Sequence, residues 1–229
     1  MPSLSIIIPT LNEADGIAAT LNALAPFRAR GAEVIVADGG SSDRTVELAR
    51  ALADRVIAAP RGRGAQMNAG AALAKSDGLL FLHADTTLPP DADRLILQGL
   101  RDRAWGRFDV WIAGRHPLLV VVAKLINWRS RLTGIATGDQ AMFATRRAFD
   151  QAGGFPDIPL MEDVALSKRL KRIGRPLCLS ARVVTSGRRW DERGVLRTML
   201  LMWRLRLCYV LGDEPAALAR RYGYVPRDG

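Results

Sequence analysis

An alternation of short apolar strands with helical stretches, repeated four times before residue 105, limits the folds that this chain can adopt. Strands are predicted at 4–9, 33–38, 55–59 and 78–84, and helices near 14–25, 44–53, 64–75 and 90–103. Continuous Ile- and Val-rich strands separated by helices are typical of a parallel sheet that is covered on both faces. The 229 residues are 48% apolar, enough to form one hydrophobic core of ordinary size. We therefore predict an α/β fold.

The pattern changes after Trp105. Six further elements are predicted: an edge or antiparallel strand at 106–112, an apolar helix at 117–132, a strand at 140–145, a helix at 161–173, a strand near 177–185 and a basic helix at 195–211. No repeat or low-complexity linker interrupts the chain, so we expect a single domain over 1–229. Its parts are a first half (1–105), a second half (106–190) and a basic helical tail (191–229).

Polar loops follow the first two predicted strands, and each loop carries a carboxylate. The first strand leads through Pro9 and Thr10 to Glu13, and the second ends at Asp38, followed by Gly39. Ligands of open parallel sheets bind beyond the carboxyl ends of the strands. The sequence therefore predicts a ligand site that involves both loops.

Three more carboxylates are candidates for chemistry. Asp85 follows the fourth strand, where a carboxylate needs hydrogen-bond partners or a metal ion; capping the turn before Pro89 is the alternative role. Glu162 and Asp163 begin a predicted helix. Carboxylates in a first helical turn complement the helix dipole, and one that is held rigidly towards a cleft is also suited to act as a general base. The sequence alone does not decide between Glu162 and Asp163.

The net charge of +10 comes entirely from the C-terminal part of the chain. Beyond residue 164 there are 15 basic and 5 acidic side chains, and the whole chain contains 29 Arg but only 4 Lys. Guanidinium groups suit bidentate contacts with phosphates, so a phosphate ligand, anionic lipid or nucleic acid would fit; a solvated basic face is the alternative. Three Tyr and six Phe leave few positions for stacking bases, which disfavours nucleic acid.

Four motifs, in order along the chain, resemble family 2 glycosyltransferases of the GT-A fold. They lie at 7–13, 36–45, 66–70 and 83–85. The resemblance covers nearly the whole chain and implies a Rossmann-like, mixed but mainly parallel sheet with helices on both faces. It further implies that the first half binds a nucleotide and that the second half binds the acceptor and carries out catalysis.

The resemblance also implies roles for individual residues. Contact with the nucleotide is implied for Pro9, Thr10, Glu13, Asp38, Gly39, Gln66 and Asn68. Asp85 would bind the Mg²⁺ or Mn²⁺ on the diphosphate, and Asp163, with Glu162 beside it, would be the general base. The acceptor or sugar side would be lined by Gly138, Asp139 and Gln140. The pyrophosphate would be held by Arg188 or Arg189.

The implied reaction is an inverting, single transfer of a sugar from a nucleotide diphosphate sugar to an acceptor hydroxyl. His83 replaces the first Asp of the Asp-x-Asp element, which leaves Asp85 as the metal ligand. Only Arg189 and Trp190 remain of the Gln-x-x-Arg-Trp motif of processive members, which favours one transfer over polymerisation. The alternatives are a catalytically silent nucleotide-sugar-binding protein, a membrane-surface interaction protein and a sugar-nucleotide pyrophosphorylase. The last would carry a glycine-rich loop with a Lys after the first strand.

Location and partners follow from weaker signals. The longest apolar stretches, at 117–126 and 199–203, are shorter than the roughly 20 residues that cross a bilayer, and Cys178 and Cys208 have no metal-site spacing. We expect a cytoplasmic protein. The helix at 195–211 is apolar with basic positions, although Arg206 interrupts a two-faced pattern. It either packs against the sheet or contacts the anionic inner face of the cell membrane, where a lipid-linked acceptor would lie.

Overall fold

The computed structural model describes residues 3–224. Its strands are β1 (Leu4–Thr10), β2 (Ala32–Asp38), β3 (Arg55–Ala58), β4 (Gly78–Phe81), β5 (Thr86–Thr87), β6 (Trp105–Ala113), β7 (Phe143–Thr145) and β8 (Leu177–Ser186). Its helices are α1 (Ala14–Ala23), α2 (Ala25–Ala29), α3 (Thr45–Arg50), α4 (Arg63–Leu73), α5 (Ala92–Gly99), α6 (Leu118–Thr133), α7 (Arg146–Gln151), α8 (Glu162–Ile173), α9 (Arg188–Arg193), α10 (Val195–Leu211) and α11 (Pro215–Tyr222), with a 3-10 turn at Gly138–Gln140.

The eight strands form one mixed sheet in the order β3-β2-β1-β4-β7-β6-β8-β5. Strands β1 to β4 are parallel, as predicted, and β1 lies between β2 and β4. Along β1, Leu4, Ile6 and Ile8 belong to the hydrophobic core on one face of the sheet, and Ile7 belongs to the core on the other. Both faces are therefore buried, which explains the continuous apolar runs in the sequence.

The order of the strands determines where a ligand can enter. From β1 the chain passes to β2 on one side, and β4 lies on the other side of β1, so the connections diverge between β1 and β4. A crevice forms beyond the carboxyl ends of strands at such a switch point. The loop that starts after Thr10 and the turn at His83 to Asp85 border this crevice.

Five hydrogen bonds join the loop after β1 to the loop after β2, one of them from the Ser42 hydroxyl to the Asn12 side-chain oxygen at 3.3 Å. The Asn12 amide donates to the Ser41 hydroxyl at 2.8 Å, and the Ser42 amide donates to the Asn12 side-chain oxygen at 2.8 Å. The amide of Glu13 donates to the Thr45 hydroxyl at 2.8 Å. The remaining bond runs from the Ala14 amide to the Asp43 carboxylate at 3.1 Å. The two loops therefore form one connected rim at this end of the sheet.

The second half of the sheet departs from the prediction in one respect. Strand β6 pairs antiparallel with β7, as one of the two predicted options required, but it also pairs in parallel with β8. It is therefore an interior strand, and the edge option is wrong. Arg107 of β6 is fully buried, where it pairs with Asp109 and donates to the Ser130 hydroxyl at 3.1 Å. Ser130 and Asn127, whose carbonyl also accepts from Arg107 at 3.3 Å, belong to α6, which covers this side chain.

Several predicted boundaries are corrected by local chemistry. The helix predicted at 14–25 is divided at Leu24, where α2 starts with Pro26 in its first turn. The strand predicted at 78–84 ends at Phe81, because 83–85 turn towards β5. The strand predicted at 140–145 begins only at Phe143, after the 3-10 turn. Within residues 3–224, no helix combines the length and hydropathy that crossing a bilayer requires.

Close packing of α4 on β1 depends on Gly70. A Cβ atom at this position would lie 2.5 Å from Ile7 Cγ2, in the middle of the sheet. We expect Gly70→Ala to lower the free energy of unfolding by about 1–3 kcal/mol, as overpacking does, despite the higher helix propensity of Ala. The control is Gly16→Ala in α1, where nothing lies within 4 Å of the added atom. It should raise stability by about 0.5–1 kcal/mol in urea unfolding, and equal shifts for the two variants would contradict this account.

Candidate active site

A cavity of 380 Å³ lies at the crevice between the ends of β1 and β4. Seven residues predicted for the site line it: Glu13, Asp85, Gly138, Asp139, Asp163, Arg188 and Arg189. They come from the loops after β1 and β4, the 3-10 turn, the first turn of α8, and α9. The fold thus brings together side chains that are up to 176 positions apart in the sequence.

Asp163 is held at the cavity by backbone amides. Its Oδ2 atom accepts a hydrogen bond from the Gly138 amide at 2.8 Å, and its Oδ1 atom accepts one from the Val164 amide at 2.7 Å. Met161, which precedes α8, has a left-handed backbone with φ of 68°. The half-buried carboxylate therefore occupies a fixed position in the first turn of α8.

Glu162 is directed into the interior instead. Its side chain is 3% exposed and pairs with Arg63, with Nε 2.8 Å from Oε1. Its second oxygen is buried without a hydrogen-bond partner among the described residues. Burial raises the pKa of Glu162 to about 7, although the charge of Arg63 opposes the shift. Glu162 is absent from the lining of the 380 Å³ cavity. The two adjacent carboxylates therefore have different surroundings, which the sequence did not distinguish.

The raised pKa of Glu162 makes stability depend on pH. Because the folded pKa of about 7 lies above the ordinary value of 4.5, the folded state binds the proton more tightly. The stabilisation is present below pH 4.5 and is lost as the pH rises to 7. We expect the unfolding free energy of the wild type, relative to Glu162→Gln, to fall by on the order of 3 kcal/mol over this range. Parallel pH profiles of the two proteins in urea unfolding would contradict the assignment.

Glu13, His83 and Asp85 form the side of the cavity that is next to the rim. Asp85 is exposed, and its carboxylate accepts one long hydrogen bond, from the Thr86 hydroxyl at 3.4 Å. Burial raises the pKa of Glu13, and the charge of Asp85 raises it further. The pKa of His83 is lowered by burial and then by the charge of Arg63. A neutral imidazole therefore lies beside two carboxylates.

The arrangement of these carboxylates is relevant to metal binding. Residues 3–224 contain no cluster of three or more His, Cys, Asp or Glu side chains that could hold an ion by themselves. Mg²⁺ is commonly bound by one or two carboxylates, with phosphates and waters supplying the other ligands. The largely free carboxylate of Asp85 fits such a site, and a cation there would relieve the repulsion between Asp85 and Glu13.

Asp38 and Thr10 hold the end of β2 to the end of β1. The buried Asp38 carboxylate accepts hydrogen bonds from the Thr10 hydroxyl at 3.1 Å, the Gly40 amide at 2.9 Å and both the amide and the hydroxyl of Ser41. Pro9 is buried within β1. These side chains are not part of the lining of the 380 Å³ cavity. Their contact with a nucleotide stays a prediction.

Gln66 and Asn68 of α4 are also bonded to the backbone. The Gln66 amide donates to the carbonyls of Thr10 at 2.7 Å and Ala37 at 2.8 Å, and a Cβ atom at Gly39 would lie 3.0 Å from the Gln66 side chain. Asn68 exchanges two hydrogen bonds with the backbone of Phe155, at 2.8 and 2.9 Å. The motif at 66–70 therefore fixes α4 against its neighbours, and nucleotide contact by Gly39, Gln66 and Asn68 stays a prediction.

Gln140 does not line the cavity, contrary to the prediction. Its side chain is fully buried and forms a capping box with Thr137, whose amide donates to it at 3.2 Å. Its own amide group lies 3.5 Å from the Phe108 carbonyl and 3.4 Å from the Asn127 side chain. The 3-10 turn places Gly138 and Asp139 at the cavity and directs the next side chain inwards.

Sequence reasoning missed four charged residues that line the cavity: Arg63, Glu192, Arg193 and Arg206. Arg63 lies in the glycine-rich stretch at 62–70, where backbone amides were the more obvious feature. Arg206 carried a usable signal, because it interrupts the apolar pattern of α10. In the structure Arg206 is one of four residues of α10 that line the cavity, with Thr198, Met202 and Leu205.

Known proteins resemble this chain both in sequence and in fold. A glycosyltransferase of PGL/p-HBAD biosynthesis from Mycobacterium tuberculosis is 39% identical over 94 residues, which cover 38% of this chain and 37% of that protein. The succinoglycan biosynthesis protein ExoA from Rhizobium meliloti is 40% identical over 110 residues, which cover 42% and 32% of the two chains. The matches thus span about a third of the length of these relatives.

Solved structures share the fold at low sequence identity. The mannosyltransferase PcManGT from Pyrobaculum calidifontis, in complex with GDP-Man and Mn²⁺, matches with a TM-score of 0.64 at 22% identity, over 98% of this chain and 66% of that chain. S. aureus TarS 1–349 with UDP-GlcNAc matches with a TM-score of 0.63 at 19% identity, over 80% and 58%. Glucosyl-3-phosphoglycerate synthase from Mycobacterium tuberculosis, with Mg²⁺ and UDP, gives 0.58 at 19%, over 80% and 70%.

These likenesses confirm the predicted GT-A fold class, with its mixed, mainly parallel sheet. The family model described as glycosyl transferase family 2 matches residues 5–152, more than half of the sequence. The four motifs in order and the strand ends that meet at one cavity agree with this match. The chain therefore belongs to glycosyl transferase family 2.

Proposed function

We propose that this protein transfers a sugar from a nucleoside diphosphate sugar to an acceptor hydroxyl, in a single inverting displacement with Asp163 as the general base. The observation that carries the proposal is the position of Asp163. Its carboxylate, held by the Gly138 amide, faces the same 380 Å³ cavity as Asp85 and the arginines of α9. A base and groups suited to a diphosphate therefore share one space of the size that small-molecule sites require.

The residues divide the chemistry between the two ends of the reacting bond. In the proposed step the acceptor oxygen forms a bond to the anomeric carbon of the sugar, and the bond from that carbon to the diphosphate oxygen breaks. The proton of the acceptor hydroxyl passes to the Asp163 carboxylate. The backbone amides of Gly138 and Val164 orient that carboxylate for the transfer. Glu162, buried and paired with Arg63, is not placed to receive this proton.

The diphosphate leaves with additional negative charge, which the opposite side of the cavity is suited to balance. Arg188 and Arg189 are exposed on α9 and line the cavity. Guanidinium groups bind phosphate oxygens bidentately. Asp85 would hold Mg²⁺ or Mn²⁺ on the diphosphate, and the ion would stabilise the departing charge as a Lewis acid. The mannosyltransferase and the synthase above were solved with Mn²⁺ and Mg²⁺, which supports the choice of ions.

A calorimetric titration with UDP, GDP and their sugar conjugates, with and without Mn²⁺, tests the donor side. We expect Mn²⁺ to strengthen binding of one nucleotide, and Asp85→Asn to weaken the binding in Mn²⁺ by about tenfold or more. Asp91→Asn is the matched control, because Asp91 is exposed at the start of α5, outside the cavity. The absence of binding to all these ligands, or an Asp85→Asn variant that binds like the wild type, would contradict the proposal.

We further propose that the protein works at a membrane surface as a peripheral protein. Large apolar side chains are exposed on α6 and α10, among them Trp128 (63%) of α6 and Val210 (67%) of α10. Basic residues, including Arg197 and Arg204, are exposed on α10. Apolar and basic side chains on the same surface suit the interface of a bilayer with anionic lipids.

A further inference from the structure

A second cavity, of 370 Å³, lies between α6 and α10 and adjoins the first. Its lining is mainly apolar and includes Val122, Leu125, Ile126, Met199 and Trp203. It shares lining residues with the 380 Å³ cavity: Asp139, Trp190, Met202 and Arg206. We call this second cavity the α6–α10 groove. Because the two spaces share one wall, a molecule in the groove has its inner end close to the proposed site of transfer.

Two arginines at the groove have nitrogen atoms without partners. Nε and Nη2 of Arg129 and Nε of Arg206 are buried, and no hydrogen bond reaches them within residues 3–224. Arg129 uses one nitrogen, Nη1, to donate to the Ile135 carbonyl at 3.2 Å. In the described part of the chain neither arginine forms an ion pair with an acid. Buried donors without acceptors are costly, so the site is incomplete as it stands.

The charges around these arginines favour an anion. Burial and the charge of Arg206 lower the pKa of Arg129 to about 10, although the charges of Asp139 and Asp163 raise it. Asp139 also lines the groove, and its Oδ1 atom is buried without a hydrogen-bond partner among residues 3–224. A phosphate or carboxylate between the guanidiniums would accept their free hydrogen bonds and offset the repulsion.

From the groove and the paired arginines we infer that the acceptor is an anionic amphiphile. Its apolar chain lies in the α6–α10 groove, and its anionic group binds Arg129 and Arg206. The inference rests on the proposed function and names the class of its acceptor. An uncharged lipid would leave the guanidiniums unpaired, and a free anion would leave the apolar walls exposed to water. A molecule with both parts satisfies both requirements and lies next to the cavity of Asp163.

Calorimetric titration of the full chain with dodecyl phosphate, below its micelle concentration and without a donor, tests this assignment. We expect one binding site per chain. Inorganic phosphate lacks the chain and dodecyl maltoside lacks the charge, so each should bind at least about tenfold more weakly, a difference of 1.4 kcal/mol. If dodecyl maltoside bound as tightly as dodecyl phosphate, the groove would be a general apolar surface with no preference for an anion. If inorganic phosphate bound as tightly, the apolar groove would contribute nothing to binding. Either result would overturn the inference.

Matched variants separate the groove from the surface around it. Trp203→Asp changes the groove lining, whereas Leu207→Asp changes an equally exposed position, one turn further along α10, that is absent from the lining. Arg129→Gln removes a groove charge of α6, whereas Lys124→Gln removes an exposed charge of the same helix that is absent from the groove lining. We expect losses of at least about tenfold for Trp203→Asp and Arg129→Gln and none for their controls. Equal losses within either pair would overturn the inference.

Folding and donor binding are followed in the same proteins. Thermal unfolding identifies a variant that has lost its structure, and Arg129→Lys then serves in place of Arg129→Gln, since it keeps the charge without the planar fork. If the protein binds anionic vesicles but not dodecyl phosphate, or if the groove is found to hold another protein, the assignment is contradicted. If UDP or GDP binds but dodecyl phosphate does not, this inference alone fails. If dodecyl phosphate binds but no nucleotide does, the proposed transfer fails.

Discussion

Replacing Asp163 by Asn is expected to lower kcat by about 10²–10⁴ and to leave the affinity for the nucleotide sugar unchanged. Asn has the size of Asp, and its amide oxygen can still accept the hydrogen bond from the Gly138 amide, whereas the one from the Val164 amide is lost. The fold and the cavity are therefore retained, and only the ability to take a proton is lost. Product formation at saturating donor, together with nucleotide titration, measures the two effects separately.

Two further substitutions test whether the loss of kcat is specific to Asp163. Asp157→Asn changes an exposed carboxylate in the segment before α8, outside the cavity, and should leave kcat unchanged. Glu162→Gln should lower kcat less than Asp163→Asn does, because Glu162 is buried against Arg63. Unchanged turnover of Asp163→Asn would exclude its catalytic role. A larger loss for Glu162→Gln would transfer the role of base to Glu162.

Replacing Arg63 by Met is expected to lower the free energy of unfolding by about 3 kcal/mol near pH 8. The substitution leaves the buried Glu162 carboxylate without its partner, which is costly in a protein interior. The figure is at the low end of the range for buried pairs, because the Arg63 side chain is 37% exposed. Urea unfolding at several pH values measures the effect.

The pH dependence of the Arg63→Met variant distinguishes a lost ion pair from lost packing. Without Arg63 the pKa of Glu162 should rise further, since the arginine charge holds it down. The destabilisation should therefore shrink at pH 5, where Glu162 is protonated, and the double variant with Glu162→Gln should recover stability at pH 8. Arg61→Met, at an exposed neighbouring position, should have no effect. A loss that is equal at pH 5 and pH 8 would indicate packing alone.

How much of the fold was predictable varies along the chain. Strands β1 to β4 were predictable because helices on both faces of the sheet require continuous apolar runs. Strand β7 was predicted, but with a start at 140 instead of Phe143. Strand β5 has only two residues, so no pattern in the sequence distinguishes it from a loop. It forms because a partner distant in the sequence pairs with it, as Thr185 does with Thr86. Pairings of this kind cannot be deduced from local composition.

The site was predictable to the extent that strand ends indicate it. Asp85 and Asp163 lie at the cavity because a loop after a strand and the first turn of a helix both present side chains at that edge of the sheet. Gln140 is directed inwards by the 3-10 turn, for which the capping-box spacing of Thr137 and Gln140 was the available sequence signal. Arg63 and Arg206 were missed because their roles depend on neighbours from other elements, Glu162 for the first and Arg129 for the second.

The rim formed by the loops after β1 and β2 has a consequence for the thermodynamics of binding. Its hydrogen bonds through Asn12, Ser41 and Ser42 are already made in the free protein. A ligand that enters there does not have to immobilise this backbone, so its affinity is not reduced by the loss of loop entropy. The rim should keep the same conformation in free and bound protein. Discrimination between donors must then come from cavity-lining side chains that are not held in this way, foremost the exposed Arg188.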